Sequence, residues 1–394
     1  MTNPYGPIVG TLGNPNFMSA YLALFAVLVL GIVVLKNDTG ISWRLGGIVL
    51  FVSGIPLIYF TKSIQGLFIV LVGSLIVFLL VLFKKASNLP TILFTIFALA
   101  LIVWVFVGFL GKGTFGSYVY QSTLQVRIYY WRAAWEMMLN KPLTGFGFDA
   151  FGTWYTKYRN LDSTLGYGPG LISDSPHNLY LDFGVSGGFP LFLSFVGLQM
   201  LILINGIKGV YRCKGSNWTF TISFVIWFCF AIQSLISPAN LVLVFTGFLM
   251  GANVLRGPRE FDQNPSLLRS KNARRILSYN IFVSSAVIST IFAILVLKAD
   301  ANFRSSLLIG EGNRIIKTAS SWPQSERRLL IASKIFYANK LPKFGQQMAE
   351  VVLKRNPENL EALKLLYEDK SYSGNLRESI AKRILTLDKY RDLP

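Results

Sequence analysis

The chain of 394 residues has one histidine, two cysteines, and 19 acidic residues against 38 basic ones. Each scarcity excludes something. Cys213 and Cys229 are not spaced as a metal site, and Cys229 falls inside an apolar run, so neither a disulfide framework nor a zinc site is expected. No Asp-x-Asp pair and no clustered carboxylates suited to a divalent ion occur in the polar segment described below, so no metal, no cofactor and no nucleotide-sugar site is expected. Charged residues make up 14% of the chain and hydrophobic ones 52%, with a mean hydropathy of +0.48, too apolar for a soluble protein of this length. The formal charge of +19 would suit nucleic acid, but the basic residues are dispersed among apolar runs and form no recognition module. The expected surroundings are membrane lipids.

Long apolar runs are what the sequence does have. They lie at roughly 16–35, 45–60, 67–83, 91–110, 189–207, 219–236, 241–255 and 276–297, and none contains Asp, Glu, Lys, Arg or His. The fold class expected is all-α, a polytopic transmembrane bundle of about eight helices over 1–297. The second and seventh runs are short for a bilayer and read as tilted or partly re-entrant. Basic residues fall in alternate loops: Lys36 and Arg44; Lys84 and Lys85; Lys208, Arg212 and Lys214; then Arg256, Arg259, Arg269, Lys271, Arg274 and Arg275. Those loops are expected to be cytoplasmic, which puts the segment 111–188 and the C-terminal tail outside. The uncharged start "MTNPYGPIVGTLGNPN" has no basic n-region and also falls outside, so the sequence is expected to begin partway through a longer protein or to be a reduced variant.

Residues 298–394 change character to charged and helical. "QSERRLLIASKIFYANK", "KFGQQMAEVVLKRN", "PENLEALKLLYEDK" and "NLRESIAKRILTLDKY" carry apolar residues at helical spacing between Pro, Gly or Asn. "NPENLEALKLL" looks like a tetratricopeptide-type helix start, and such hairpins stack. A small helical tail packed on itself accounts for the pattern equally well, and protein partners through it are an open expectation.

Chemistry needs polar groups, and these collect in 111–188. "LQVRIYYWRAAWEMMLN" reads as an amphipathic interfacial helix with Arg127, Trp131 and Trp135 on one face and Arg132 with Glu136 as an i, i+4 pair on another. Arg127 either snorkels toward headgroups or points inward to hold a phosphate with its planar fork. In "NKPLTGFGFDAFGTWYTKYRN" Pro142 stops the helix, and Gly145 and Gly147 make either an ordinary turn or a phosphate cradle. The aromatics that follow suit sugar stacking or interface anchoring. In "SDSPHNLYLDFGVSGG" Ser175 is the expected N-cap and Pro176 the first helical residue, which places His177 in the first turn. There the helix dipole favours a neutral imidazole, one able to act as general base with help from Asp174 or Asp182, or else simply to hydrogen-bond within the loop.

Three stretches are similar to the O-antigen ligase family, the polytopic bacterial membrane proteins that include O-antigen ligases and polymerases. "GTLGNPNFMSAYLAL" resembles its Gly-Asn-x-Asn element before a span, "RIYYWRAAWEMMLNKPLTGFGFDAF" its Arg, Trp and Pro-x-x-Gly-x-Gly pattern, and "HNLYLDFGVSGGFPLFL", with Asn178, its His-Asn element. The resemblance implies that Arg127 binds the pyrophosphate of an undecaprenyl-linked glycan, with Arg132 and Lys62 in support, and that His177 serves the transfer step to an acceptor hydroxyl on a lipid or glycan. Where relatives have an arginine before a glycine, this sequence reads "TKSIQG", with Gln65, which leans toward a polymerase or another transferase. Relatives also have spans ahead of the first element. The implied place is the bacterial inner membrane. Two rivals are a flippase of lipid-linked sugars, which would display ionisable residues in its spans, and a non-catalytic assembly factor.

Overall fold

The computed structural model describes residues 7–36, 40–85, 88–109, 112–113, 122–213, 217–258 and 268–391. Lys214 and Arg259, counted above among the cytoplasmic basics, lie outside them, as do the first six residues and 114–121 of the polar segment. Among the described residues the structure is all helix, and by packing the chain divides into Met1–Glu260 and Phe261–Pro394.

The first unit contains α1 (Pro15–Leu35), α2 (Ile41–Phe60), α3 (Ile64–Lys85), α4 (Asn88–Phe109), α5 (Ser122–Asn140), α6 (Phe151–Tyr158), α7 (Leu161–Tyr167), α8 (Leu179–Cys213), α9 (Trp218–Gln233) and α10 (Leu241–Arg256). The "NPN" of the first element starts α1: Asn14 caps it by accepting from the Asn16 amide at 2.8 Å, and Pro15 takes the first helical position. α1 packs against α2, α3 and α9, burying Ala20, Ala23, Val27 and Leu30 in a core shared with Ile69 and Val72 of α3 and Val225 and Cys229 of α9. The polar residues of α1 and α3 are used to fix the start of α3: Ser19 donates to the Ser63 carbonyl at 3.1 Å and accepts from the Gly66 amide at 3.0 Å.

Helices α1 to α4 and α8 are long and apolar enough to cross a bilayer, as is the stretch Val283–Ile309 in the second unit; α9 and α10, of 16 residues each, are shorter. This is a multi-pass membrane protein. Of the two spans expected to be short, the seventh, α10, is so at 16 residues, while the second is not. α2 reaches a full 20 residues because its helix begins at Ile41 and takes in Arg44, a residue expected in the loop. α9 is short as well, which run length did not show: the apolar run continues through Leu235 and Ile236, but the helix ends at Gln233 and those residues enter a turn. Hydropathy alone does not register that exit.

The second unit begins with α11 (Leu268–Ile309), which continues the eighth span without a break into the tail, and goes on through α12 (Gly312–Ala319), α13 (Glu326–Ala338), α14 (Pro342–Arg355), α15 (Leu360–Glu368) and α16 (Gly374–Leu387). α13 to α16 pack consecutively, each on its neighbour, around Leu329, Phe336, Met348, Val352, Leu363 and Ile384. Caps set their starts, Ser325 for α13 and Asn359 for α15. α12, which the sequence reading passed over, is held by Arg328, whose buried guanidinium donates to the carbonyls of Thr318, Ser321 and Pro323.

Candidate active site

α5 is a packed helix. Ala133, Ala134, Met137 and Met138 are almost fully buried against Phe151 and Tyr155 of α6 and Val185 of α8. Of the three residues assigned to one face, Arg127 and Trp131 border a common cavity. Trp135 does not. Eight residues at 3.6 per turn drift by about 80°, and its ring packs edge-on to Phe189 at 5.8 Å.

α8 is broken where the glycine pair stands. Gly187 (φ −133°, ψ 19°) and Gly188 (φ 66°, ψ −164°) leave the helical region, so residues 179–186 form a short segment ahead of the apolar span. The break leaves the last carbonyls of that segment without helical partners. The turn after α5 supplies them: Phe146 donates to the Val185 carbonyl at 2.8 Å and Gly147 to that of Ser186 at 3.0 Å, while the Phe189 amide returns a bond to Pro142 at 2.7 Å. Gly145, at φ 63°, donates to Lys141 and lies so close that an added Cβ would sit 2.6 Å from Gly187 N. The amides of Gly145 and Gly147 are thus engaged, and the phosphate-cradle expectation gives way to a docking role between α5 and α8. Gly188 combines a backbone region open only to glycine with a Cβ position 2.3 Å from the Pro142 oxygen. Gly188→Ala is expected to cost about 1–3 kcal/mol, read as a lowered thermal midpoint of the detergent-solubilised chain.

The start of α8 also differs from expectation. The N-cap is Asn178, not Ser175: its Oδ1 accepts from the amides of Tyr180 and Leu181 at 3.0 and 3.2 Å, and the Leu179 amide donates to Ser234 at 2.8 Å. Asn178 outcompetes Ser175 because the chain at His177 is left-handed (φ 50°), which prevents the helix from beginning three residues earlier. His177 therefore precedes the helix. Its ring stacks on Tyr130 of α5 with centroids 5.8 Å apart, and Tyr130 packs edge-on to Tyr155 at 5.3 Å. The imidazole is held below its ordinary pKa of 6.5, first by burial and next by the charge of Arg127, with Asp174 opposing. The expected neutrality stands, from causes other than the helix dipole.

Arg127 is 7% exposed. Its Nη1 donates to the Ile236 carbonyl at 2.7 Å, in the turn that follows α9. With the Gln65 amide oriented so that its oxygen faces the guanidinium, that oxygen accepts from Nη1 and Nη2 at 2.8 and 2.9 Å. The amide of Gln233 lies 3.2 Å from that of Gln65. These bonds occupy the end edge of the guanidinium and the outer face of Nη1. The Nε–Nη2 edge, two parallel N–H groups, has no partner among the described residues. No carboxylate pairs with Arg127 there either, and burial lowers its pKa to about 10, which leaves it charged at neutral pH.

Arg127, Gln65 and Asn178 form the polar end of a cavity of about 700 Å³ whose other walls are almost wholly apolar, drawn from α3, α4, α8 and α9. The α3 residues that line it run from Ile64 to Leu79, about 22 Å along the helix axis. The indole N–H of Trp131, also at the polar end, is buried without an acceptor among the described residues. His177 does not line this cavity; its neighbour Asn178 does. Lys62 is exposed over the Tyr59 ring at 5.3 Å, and Arg132 is exposed on α5 and makes no ion pair with Glu136 among the described residues. Neither borders the cavity.

Residues 49–196 match the O-antigen ligase family. The matched stretch runs from α2 into the apolar part of α8 and includes Gln65, Arg127, His177 and Asn178, so the resemblance seen in the sequence holds across the residues of this site. Ligase-type glycosyl transfer is the activity that this domain supports. No curated protein and no solved structure matches the chain.

Three contributors escaped the sequence reading. Gln233 had a visible signal, an amide near the end of a long apolar run. Tyr130 and the Ile236 carbonyl had none, because an aromatic in an aromatic-rich helix and a backbone oxygen in an apolar run carry no mark of use.

Proposed function

We propose that this protein transfers a glycan from undecaprenyl pyrophosphate to a hydroxyl of a lipid or glycan acceptor, at the outer face of the bacterial inner membrane. The observation that carries the reading is the buried guanidinium of Arg127, uncompensated by any carboxylate among the described residues, at the polar end of a long apolar cavity. Burying an unpaired charge is costly, and a diphosphate would relieve that cost. A planar fork with one edge unoccupied suits two phosphoryl oxygens, and the apolar walls suit the prenyl chain that carries them.

The acceptor oxygen attacks the anomeric carbon, the bond from that carbon to the phosphate oxygen breaks, and the electron pair leaves with polyprenyl pyrophosphate. Arg127 meets the negative charge as it grows on the leaving group. Neutral His177 takes the acceptor proton. Asn178, by capping α8, holds both the imidazole and the rim of the cavity in place.

The test is a reconstituted assay with a lipid-linked oligosaccharide and a hydroxyl acceptor. Wild-type chain is expected to produce elongated acceptor and free polyprenyl pyrophosphate in equal amounts. Donor that crosses the bilayer unconsumed would mark a carrier, and donor left unchanged in place a scaffold; either result removes the proposal.

A further inference from the structure

Gln65 is about as buried as the arginine it touches, 6% exposed against 7%, and Gln233 is 1% exposed. A buried amide next to a buried cation has a consequence that a carboxylate in the same place would not. The carboxylate would cancel the charge, whereas the amide oxygen orients the fork and leaves the charge intact. The backbone that carries Gln65 is itself fixed. Ser19 bonds both Ser63 and Gly66, Thr61 Oγ1 accepts from the Ser63 amide at 3.2 Å, and a Cβ at Gly66 would meet Ser19 Oγ at 2.1 Å. Arg127, which can only donate, turns the Gln65 oxygen toward itself; the Gln65 amide nitrogen then faces the Gln233 amide at 3.2 Å, and the Gln233 oxygen, otherwise without a partner among the described residues, accepts from it once that amide is turned likewise.

We infer that Gln65 is the positioning residue for Arg127: held by Gln233, its amide oxygen occupies the end edge of the guanidinium and so presents the side edge, still fully charged, to an anionic ligand in the cavity. This rests on the diphosphate reading of the same site. A lysine-like point charge would need no such partner, because only a planar fork has an edge to aim.

The experiment uses the full chain in nanodiscs, with inorganic pyrophosphate as the binding probe and the donor KM in the transfer assay as the second readout. Gln65→Glu keeps the shape and adds the compensating charge. Its thermal midpoint is expected to equal or exceed that of wild type, while pyrophosphate affinity falls and donor KM rises by about tenfold or more. The loss is expected to shrink, relative to wild type, as pH is lowered and the introduced carboxyl is protonated. A residue that merely filled space would not move stability and affinity in opposite directions. Gln233→Leu frees the Gln65 amide to rotate and is expected to weaken both readouts several-fold; it decides the matter if Gln65→Glu fails to fold.

Affinity and KM within twofold of wild type in these variants, while Arg127→Ala has lost both, would overturn the positioning role and leave the diphosphate reading standing. Wild-type readouts in Arg127→Ala would overturn the diphosphate reading and this inference with it.

Discussion

Arg127→Ala lowers kcat/KM for glycan transfer by about 10²–10³-fold, roughly 3–4 kcal/mol of transition-state stabilisation, and leaves the thermal midpoint unchanged or raised. The two halves of that expectation come from the same fact. In the free protein the guanidinium is buried against the Gln65 amide and the Ile236 carbonyl with no anion near it among the described residues, so it costs the fold desolvation energy that two neutral acceptors return only in part. Removing it relieves the fold and disarms the site, the trade expected where a group is kept for function. Arg127→Lys separates charge from geometry. A lysine supplies one charge but no parallel pair of N–H groups, and its flexible stem is not held by the Gln65 oxygen. It is expected to recover less than a tenth of the lost rate. Steady-state kinetics with a lipid-linked donor, beside thermal unfolding of each variant, checks both halves. A destabilised Arg127→Ala that still transfers glycan at the wild-type rate would make the arginine a packing residue.

How far the sequence revealed this site depends on which physical signal each part leaves. The spans were legible because charge-free runs of bilayer length have few alternatives, and the tail helices because their apolar residues recur at helical spacing between caps. Arg127 stood out as a cation in an aromatic helix and His177 as a solitary imidazole. Gln65 stood as a candidate substrate-binding residue only through its place, where relatives carry an arginine; its bond to Arg127 joins residues 62 positions apart in sequence, which no periodicity encodes. Gly145 and Gly147 left two readings open for a related reason. A Gly-x-Gly turn looks the same in sequence whether its amides face a ligand or, as here, the freed carbonyls of a broken helix. The choice of Ser175 over Asn178 as the cap followed local preference alone, and the left-handed residue between them decided otherwise. Lys62 and Arg132 had the right charge, but their side chains are exposed away from the cavity.

His177→Asn is expected to lower kcat by about 10²–10⁴-fold, the range of a general base, with the donor KM little changed, because in the proposed mechanism the imidazole acts on the acceptor, and it stands outside the cavity proposed for the donor. Asparagine is the informative replacement. The backbone at this position is left-handed, a region asparagine tolerates and alanine enters only at a cost of about 1–2 kcal/mol, so His177→Ala would mix a folding defect into the rate. The wild-type pH profile carries the independent check. Burial and the charge of Arg127 both disfavour the imidazolium, so the base stays neutral and competent as pH falls through 6.5, and transfer is lost only at the lower folded value. Over the same interval the fold loses stability, because the unfolded chain takes up its proton first. An acid limb centred below 6.5 in wild type and absent from the residual activity of His177→Asn would tie the proton to this ring. An acid limb that persists unchanged in the variant would assign it to another group and leave His177 as the stacking partner of Tyr130.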